Sequence, residues 1–207
     1  RRHTRLQGDW SADVCSSDLT LTAAAGTVSD TGDLSVGNVL SVSTVGAGGG
    51  VILNNVGNLF GSVDISSGAG DVTLVEADAT IINQLSATNF DLTSSGSVSD
   101  SLNASISVAG LTNISAGGSI SLGDDPGDTV ALSTVQLSGT DVFLNEDSGD
   151  GITISDLIAT SLELIADGDI ASAGGVNLNV TNQAKLDAGS NNIDLSGSVN
   201  AFGSVDL

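Results

Sequence analysis

The sequence predicts an all-β chain wound as a parallel β-helix, or β-solenoid. Three observations carry this: apolar residues that alternate over short runs, a sequence that repeats about every 70 residues, and the absence of sustained helical spacing. The alternation comes first. Apolar–polar–apolar triplets flanked by Gly, Asn, Asp or Ser recur as Leu34/Val36, Val63/Ile65, Val72/Leu74, Ile106/Val108, Ile120/Leu122, Val135/Leu137, Val142/Leu144, Ile152/Ile154, Leu162/Leu164, Val176/Leu178 and Ile193/Leu195. Successive strand residues face opposite sides, so both members of a pair point the same way, and the flanking residues are turn formers.

The repeat is read from three anchors. LTAAAGTVSD at 21–30 realigns with LTSSGSVSD at 92–100 and LIADGDIAS at 164–172, which places Val28, Val98 and Ile170 at intervals of 70 and 72. GSVDI at 61–65 matches STVQL at 133–137 and GSVDL at 203–207, and DVTL at 71–74 matches DVFL at 141–144. Strands this short form no independent hairpin sheet, and two-residue Asn-Gly or Asp-Gly links are scarce, Asp150-Gly151 and Asp167-Gly168 excepted. Strands of one direction joined by short turns at a fixed period suit a solenoid, in which each coil adds a rung to parallel sheets and identical side chains stack. With coils of roughly 20 to 25 residues, about 8 coils and a rod near 40 Å long are expected, without an internal linker. Phe60 and Phe202 occupy equivalent repeat positions and are expected to stack in the core or at a corner.

Residues 1–19 differ in composition from the rest. They hold the only His (His3), the only Trp (Trp10), the only Cys (Cys15) and all three Arg (Arg1, Arg2, Arg5). Residues 8–19, GDWSADVCSSDL, resemble the translation of a common sequencing-adapter read, with Ala12 in place of a Ser. The segment is accordingly expected to be a non-native, disordered leader, with 20–207 a single solenoid segment. Because the chain contains no Met, it is expected to be an internal fragment of a longer protein.

From Thr20 onward the chain has one basic residue, Lys185, against 22 acidic ones, and the net charge of −21 therefore belongs to the repeats. Nucleic acid is excluded as a partner, since phosphate binding rests on Lys and Arg, and anionic membrane surfaces are disfavoured. No apolar run approaches the ~20 residues needed to span a bilayer. The absence of Cys from Thr20 onward excludes disulfides, thiol catalysis and thiolate metal sites there. Lys185 is expected in a turn, beside an Asp.

The repeats AGGSISLGDD (116–125), AGGGVILNN (47–55) and GNLFGSVDISSGAGDVTL (57–74) resemble those of filamentous-haemagglutinin-like proteins, very large exoproteins of Gram-negative bacteria. The resemblance spans essentially all of 20–207 and lies in repeat style. It implies a right-handed parallel β-helix, export through an outer-membrane partner, and a role in adhesion or as a stalk at the cell surface. The partners it implies are a host or neighbouring-cell receptor or glycan, with flanking repeats of the same chain. No counterpart of a secretion domain is visible in this sequence.

A uniform rod suits spacing and multivalent contact, whereas chemistry needs a non-uniform patch. The carboxylate pairs Asp124/Asp125 and Glu146/Asp147 sit in Gly- and Pro-rich turn contexts, where Asp is favoured for backbone hydrogen bonding. Trp, Tyr and Arg, which would shape a sugar subsite, are missing from the repeats, and no catalytic residue is expected. A polysaccharide-active β-helix enzyme is the alternative, and it would require long insertions around one groove. No cofactor is expected except a weakly held calcium. GDDPGD (123–128) and NEDSGDG (145–151) concentrate acceptor oxygens of the kind hard cations prefer, making Asp124, Asp125, Asp128, Asn145, Asp147 and Asp150 the candidate ligands. Neither run fits the EF-hand spacing or the tandem nonapeptide calcium repeat.

Overall fold

The computed structural model describes Val14, Cys15, residues 17–46 and residues 48–207. The first strands are β1 (Val14–Cys15), β2 (Leu19–Ala23), β3 (Val28–Ser29), β4 (Ser35–Thr44), β5 (Val51–Leu53) and β6 (Leu59–Ser66). There follow β7 (Val72–Glu76), β8 (Thr80–Ala87), β9 (Phe90–Ser94), β10 (Val98–Ala116), β11 (Ile120–Leu122), β12 (Thr129–Ser138) and β13 (Asp141–Glu146). The last are β14 (Ile152–Ala159), β15 (Ser161–Ala166), β16 (Ile170–Ser172), β17 (Asn177–Asp187), β18 (Ile193–Asp194) and β19 (Val199–Asp206). Every pairing is parallel, no helix occurs among the described residues, and the strands stack as a β-solenoid of about 9 turns. At ~4.8 Å per rung that is a rod about 43 Å long.

The register follows from the apolar pairs. Leu21 pairs with Val42, Val42 with Ile65, Ile65 with Leu85, Leu85 with Ile106 and Ile106 with Val130, steps of 20 to 24 residues, while Leu74 pairs with Leu92 only 18 residues on. A second interior column runs Leu53, Leu74, Leu92, Ile114, Leu137, Leu157, Leu178, each at most 3% exposed. Pairs such as Val142/Leu144, Ile152/Ile154 and Leu162/Leu164 are buried as their parity requires. Pairs near the end of the chain are drier on one member than the other: Leu178 is buried and Val176 half-buried.

The superrepeat does not stack on itself. From Val28 to Val98 the chain passes through segments at Ser35, Leu40, Val51, Leu59, Val63, Val72, Thr80, Leu85 and Phe90, which makes ten steps. A further ten lead through Ile106, Thr112, Ile120, Val130, Val135, Val142, Ile152, Leu157 and Leu162 to Ile170. Three segments make a coil, so each superrepeat completes three coils and hands over one face further round. The ladders bear this out: Val28 pairs with Val51, Val98 with Ile120, and Ile170 with Ile193, in three different columns. The expected stacking of Phe60 on Phe202 fails for this reason. Phe60 is buried and pairs with Val36, whereas Phe202 is half-buried and pairs with Val180.

Three further expectations change. Val14–Cys15 pair with Ser35–Val36, and Leu19 opens β2 opposite Leu40, so the ladder starts inside the segment that composition sets apart; residues 1–13 and Ser16 lie outside the described residues. Asp156, expected from the sequence in or near an exposed turn, lies instead within β14, where an extra residue shifts the register between Val135 and Gln136. Lys185 lies in β17, not in a turn, and its Nζ is 2.5 Å from Glu163 Oε1 on the preceding coil, so its partner is a Glu.

Ile154 is 1% exposed and Asp150 is exposed. Ile154→Asp puts an unpaired carboxylate into the aliphatic column and is expected to cost several kcal/mol. Asp150→Ser is expected to stay within about 0.5 kcal/mol. Urea melts check both, and equal midpoints would refute the inward assignment.

Candidate functional site

The turn that follows β11 begins at Gly123, whose φ of +75° suits glycine; a Cβ there would stand 2.5 Å from the Asn145 carbonyl oxygen. The Gly123 N–H donates to Asp100 Oδ2 at 2.7 Å. At the end of the turn, Asp128 Oδ1 accepts the Ala104 N–H and Oδ2 accepts the Asp125 N–H, both at 2.9 Å. Asp124 Oδ2 accepts the Ser121 hydroxyl at 2.9 Å. These bonds bring one carboxylate oxygen each from Asp100, Asp124 and Asp128 within 4.8 Å of one another.

Asp100 carries the strain of this cluster. Its Oδ1 is sealed from water and has no hydrogen-bond partner. Burial, assisted by the charges of Asp128 and Asp124 and opposed by the Gly123 N–H, pushes its pKa up to about 6. Three carboxylates so placed can hold a shared proton or a hard cation. Calcium takes 6 to 8 oxygens, and both Asp128 oxygens already accept backbone N–H groups, so the donor set is thin for a tight site.

The other candidates do not join it. Asp125 contributes its backbone N–H, not its carboxylate. The Asn145 amide donates to the Gly123 carbonyl at 3.2 Å and ties two turns together. Asp147 Oδ1 accepts the Val130 N–H at 2.8 Å. Asp150 is exposed, and its N–H donates to Ser148 Oγ at 3.3 Å. Glu146, weighed as half of a catalytic pair, is buried and takes both the N–H and the hydroxyl of Ser148; burial holds its pKa above the usual range. Sequence reading passed over Asp100, which the coil spacing could have found: Asp100 precedes Asp124, and Ala104 precedes Asp128, by 24 residues each.

Elsewhere, a shallow trough of about 390 Å³ crosses β11, β13, β15 and β17, lined by Ser121, Phe143, Glu163 and Lys185 among others. Among the described residues, no helix is long and apolar enough to cross a membrane.

A family profile described as "Repeats of unknown function (DUF5649)" matches residues 10–66, 69–138 and 139–206. The chain belongs to this family. Neither the curated proteins nor the solved structures give a match. The second and third DUF5649 matches, which begin at residues 69 and 139, share the period of the superrepeat read from the sequence, and the repeats can be compared position by position. Seventy residues before the acidic cluster, Asp30 holds the place of Asp100 and Asn58 that of Asp128. There Asn58 Oδ1 accepts the Leu34 N–H at 2.8 Å while its amide donates to Asp30 Oδ2 at 2.7 Å, and Asp30 also takes the N–H groups of Asn54 and Asn55. With carboxylates in place of both amides, Asp124 for Asn54 and Asp128 for Asn58, the donor is lost and the cluster arises.

Asp128→Asn should therefore supply a donor to Asp100. It is expected to stabilise the fold at neutral pH by about 1 kcal/mol and to return the Asp100 pKa toward the ordinary carboxylate range, measured by denaturant melts and carboxyl NMR. A destabilised variant would show that the lost acceptor for the Asp125 N–H outweighs the gain. For the wild type, sodium chloride is expected to reproduce most of any rise in melting temperature caused by calcium, through screening of the −21 charge. A saturable rise at micromolar calcium that salt does not mimic would instead mark a tight site.

Proposed function

We propose that this chain is a non-catalytic stalk segment of a secreted or surface-attached bacterial protein, a spacer that holds binding regions away from the cell. The observation that supports it best is the uninterrupted aliphatic column from Leu53 to Leu178, closed throughout by short turns. Such a column resists bending and shear, and its length scales with repeat number. Receptors or glycans on a host or neighbouring cell would be met by the regions the rod presents, and flanking repeats of the same chain would continue it. The filamentous-haemagglutinin-like style of the repeats favours export to the outer surface.

If the superrepeats are interchangeable spacers, excising residues 69–138 should leave a cooperatively folded rod. Small-angle scattering should show it shorter by roughly 16 Å, the rise of three and a third coils, with an unchanged cross-section. Loss of folding, or cleavage of a polysaccharide by the intact chain, would count against the stalk reading.

A further inference from the structure

Where a corner interrupts the ladder, a backbone donor loses its strand partner, and the superrepeats meet the same loss in two ways. In the second repeat the orphan is the Val130 N–H, and Asp147 Oδ1, at the start of the third repeat, accepts it from the neighbouring coil. Glu146 beside it is left to pair with Ser148. In the first repeat the equivalent orphan is the Phe60 N–H, and the residue at the place of Asp147 is Ala77, whose side chain has no acceptor. Glu76 takes over, its Oε1 accepting the Phe60 N–H at 2.5 Å. The place of Ser148 is held by Asp78, which cannot donate and spends Oδ1 on the Ala79 N–H.

Glu76 is consequently a carboxyl in a dry corner, 1% exposed, with Oε2 unpartnered. The Thr80 hydroxyl lies near it but is equally without a well-aligned partner. From β9 above, Ser94 turns its hydroxyl to the Asp78 carbonyl. Asp64 on β6 and Asp91 on β9 have opposite parity to their buried neighbours Val63, Ile65, Phe90 and Leu92, and so face outward. The charged group that bears on Glu76 is Asp78, of like sign, and the lysine of the repeats, Lys185, is committed to Glu163.

We propose that Glu76 is a proton switch of the rod: the protonated carboxyl locks the corner between β7 and β8, and its ionisation loosens the coils around Phe60. Burial is the largest cause, Asp78 adds to it, and the pKa rises from 4.5 to about 7 against the pull of the Phe60 N–H and the Thr80 hydroxyl. The folded chain thus holds this proton more tightly than the unfolded one. The stabilisation is complete below the ordinary value near 4.5 and is lost as pH rises through about 7. A rod built this way is firmer in a mildly acidic setting than in a neutral or alkaline one.

The test uses the full chain, whose glutamates are Glu76, Glu146 and Glu163. With carboxyl-¹³C glutamate, each gives one NMR signal, and E76Q identifies that of Glu76. The signal is expected to titrate near pH 7, and D78S, which copies Ser148, to move its midpoint down. In thermal melts the wild type is expected to lose about 5 °C more than E76Q between pH 5 and pH 8, because the glutamine keeps the acceptor for Phe60 and never ionises. A Glu76 signal that titrates in the ordinary carboxylate range would overturn the proposal. So would an E76Q profile as steep as the wild type's, which would assign the pH dependence to the overall charge. If E76Q does not fold, the displacement of one glutamate signal by D78S alone identifies Glu76, and its midpoint decides the matter.

Discussion

Backbone hydrogen bonding between successive coils is the constraint on which the rest of this structure depends. A strand of three to five residues has no stability alone. Its N–H and C=O groups are satisfied only because a parallel strand lies above and another below, about 4.8 Å away. That spacing forces side chains into columns, so an aliphatic residue in one coil demands one in the next. Leu53, Leu74, Leu92, Ile114, Leu137, Leu157 and Leu178 meet that demand along most of the rod. Where a corner breaks the ladder, the freed backbone donor needs another acceptor, and side chains supply it: Asn58 for Leu34, Glu76 for Phe60, Asp128 for Ala104, Asp147 for Val130.

The same columns govern how a chain of net charge −21 stays wound. Like charges directly opposite one another across strands are destabilising, and in the paired strand positions no carboxylate lies over another among the described residues. Asp91 is followed by Asn113, whose amide donates to it at 2.9 Å, and Asp71 receives the Asn89 amide at 2.8 Å. Glu163, Lys185 and Asp206 alternate in sign along one column. Several acidic residues accept a hydrogen bond from an adjacent coil, as Asp71, Asp91, Asp128 and Asp147 do, and amides such as Asn89 and Asn113 lie between the charges. In the turns that rule relaxes, and Asp100, Asp124 and Asp128 converge there.

Ten strand segments per superrepeat and three per coil do not divide evenly, and the remainder sets the symmetry of the surface. Equivalent residues of successive repeats occupy successive faces, so the acidic turn at 123–128 and its counterpart near 54–58 point to different sides of the rod. A feature carried once per superrepeat returns to the same face only after three of them. The mismatch also frees the repeats to diverge. Because Asn58 and Asp128, or Asp78 and Ser148, do not stack on each other, each can answer to its own neighbours.

Much of this was legible in the sequence. Period-two pairs such as Val142/Leu144 and Ile152/Ile154 determined strand positions and inward faces by parity alone, and the recurrence of Val28, Val98 and Ile170 determined the superrepeat. Turn composition marked 123–128 and 145–151 as acceptor-rich. Sequence did not reveal which of those oxygens would meet. Asp100 enters the cluster from the preceding coil, while Asp147 and Glu146 are drawn away by a backbone donor and a neighbouring hydroxyl. The buried state of Glu76 was equally hidden, since its neighbour Phe60 is 16 residues away and belongs to another coil. Local pattern determines which way a side chain points along its own strand, because that depends on backbone geometry shared by adjacent residues. Which groups it faces depends on coil length and register, and these are settled only when the ladder closes.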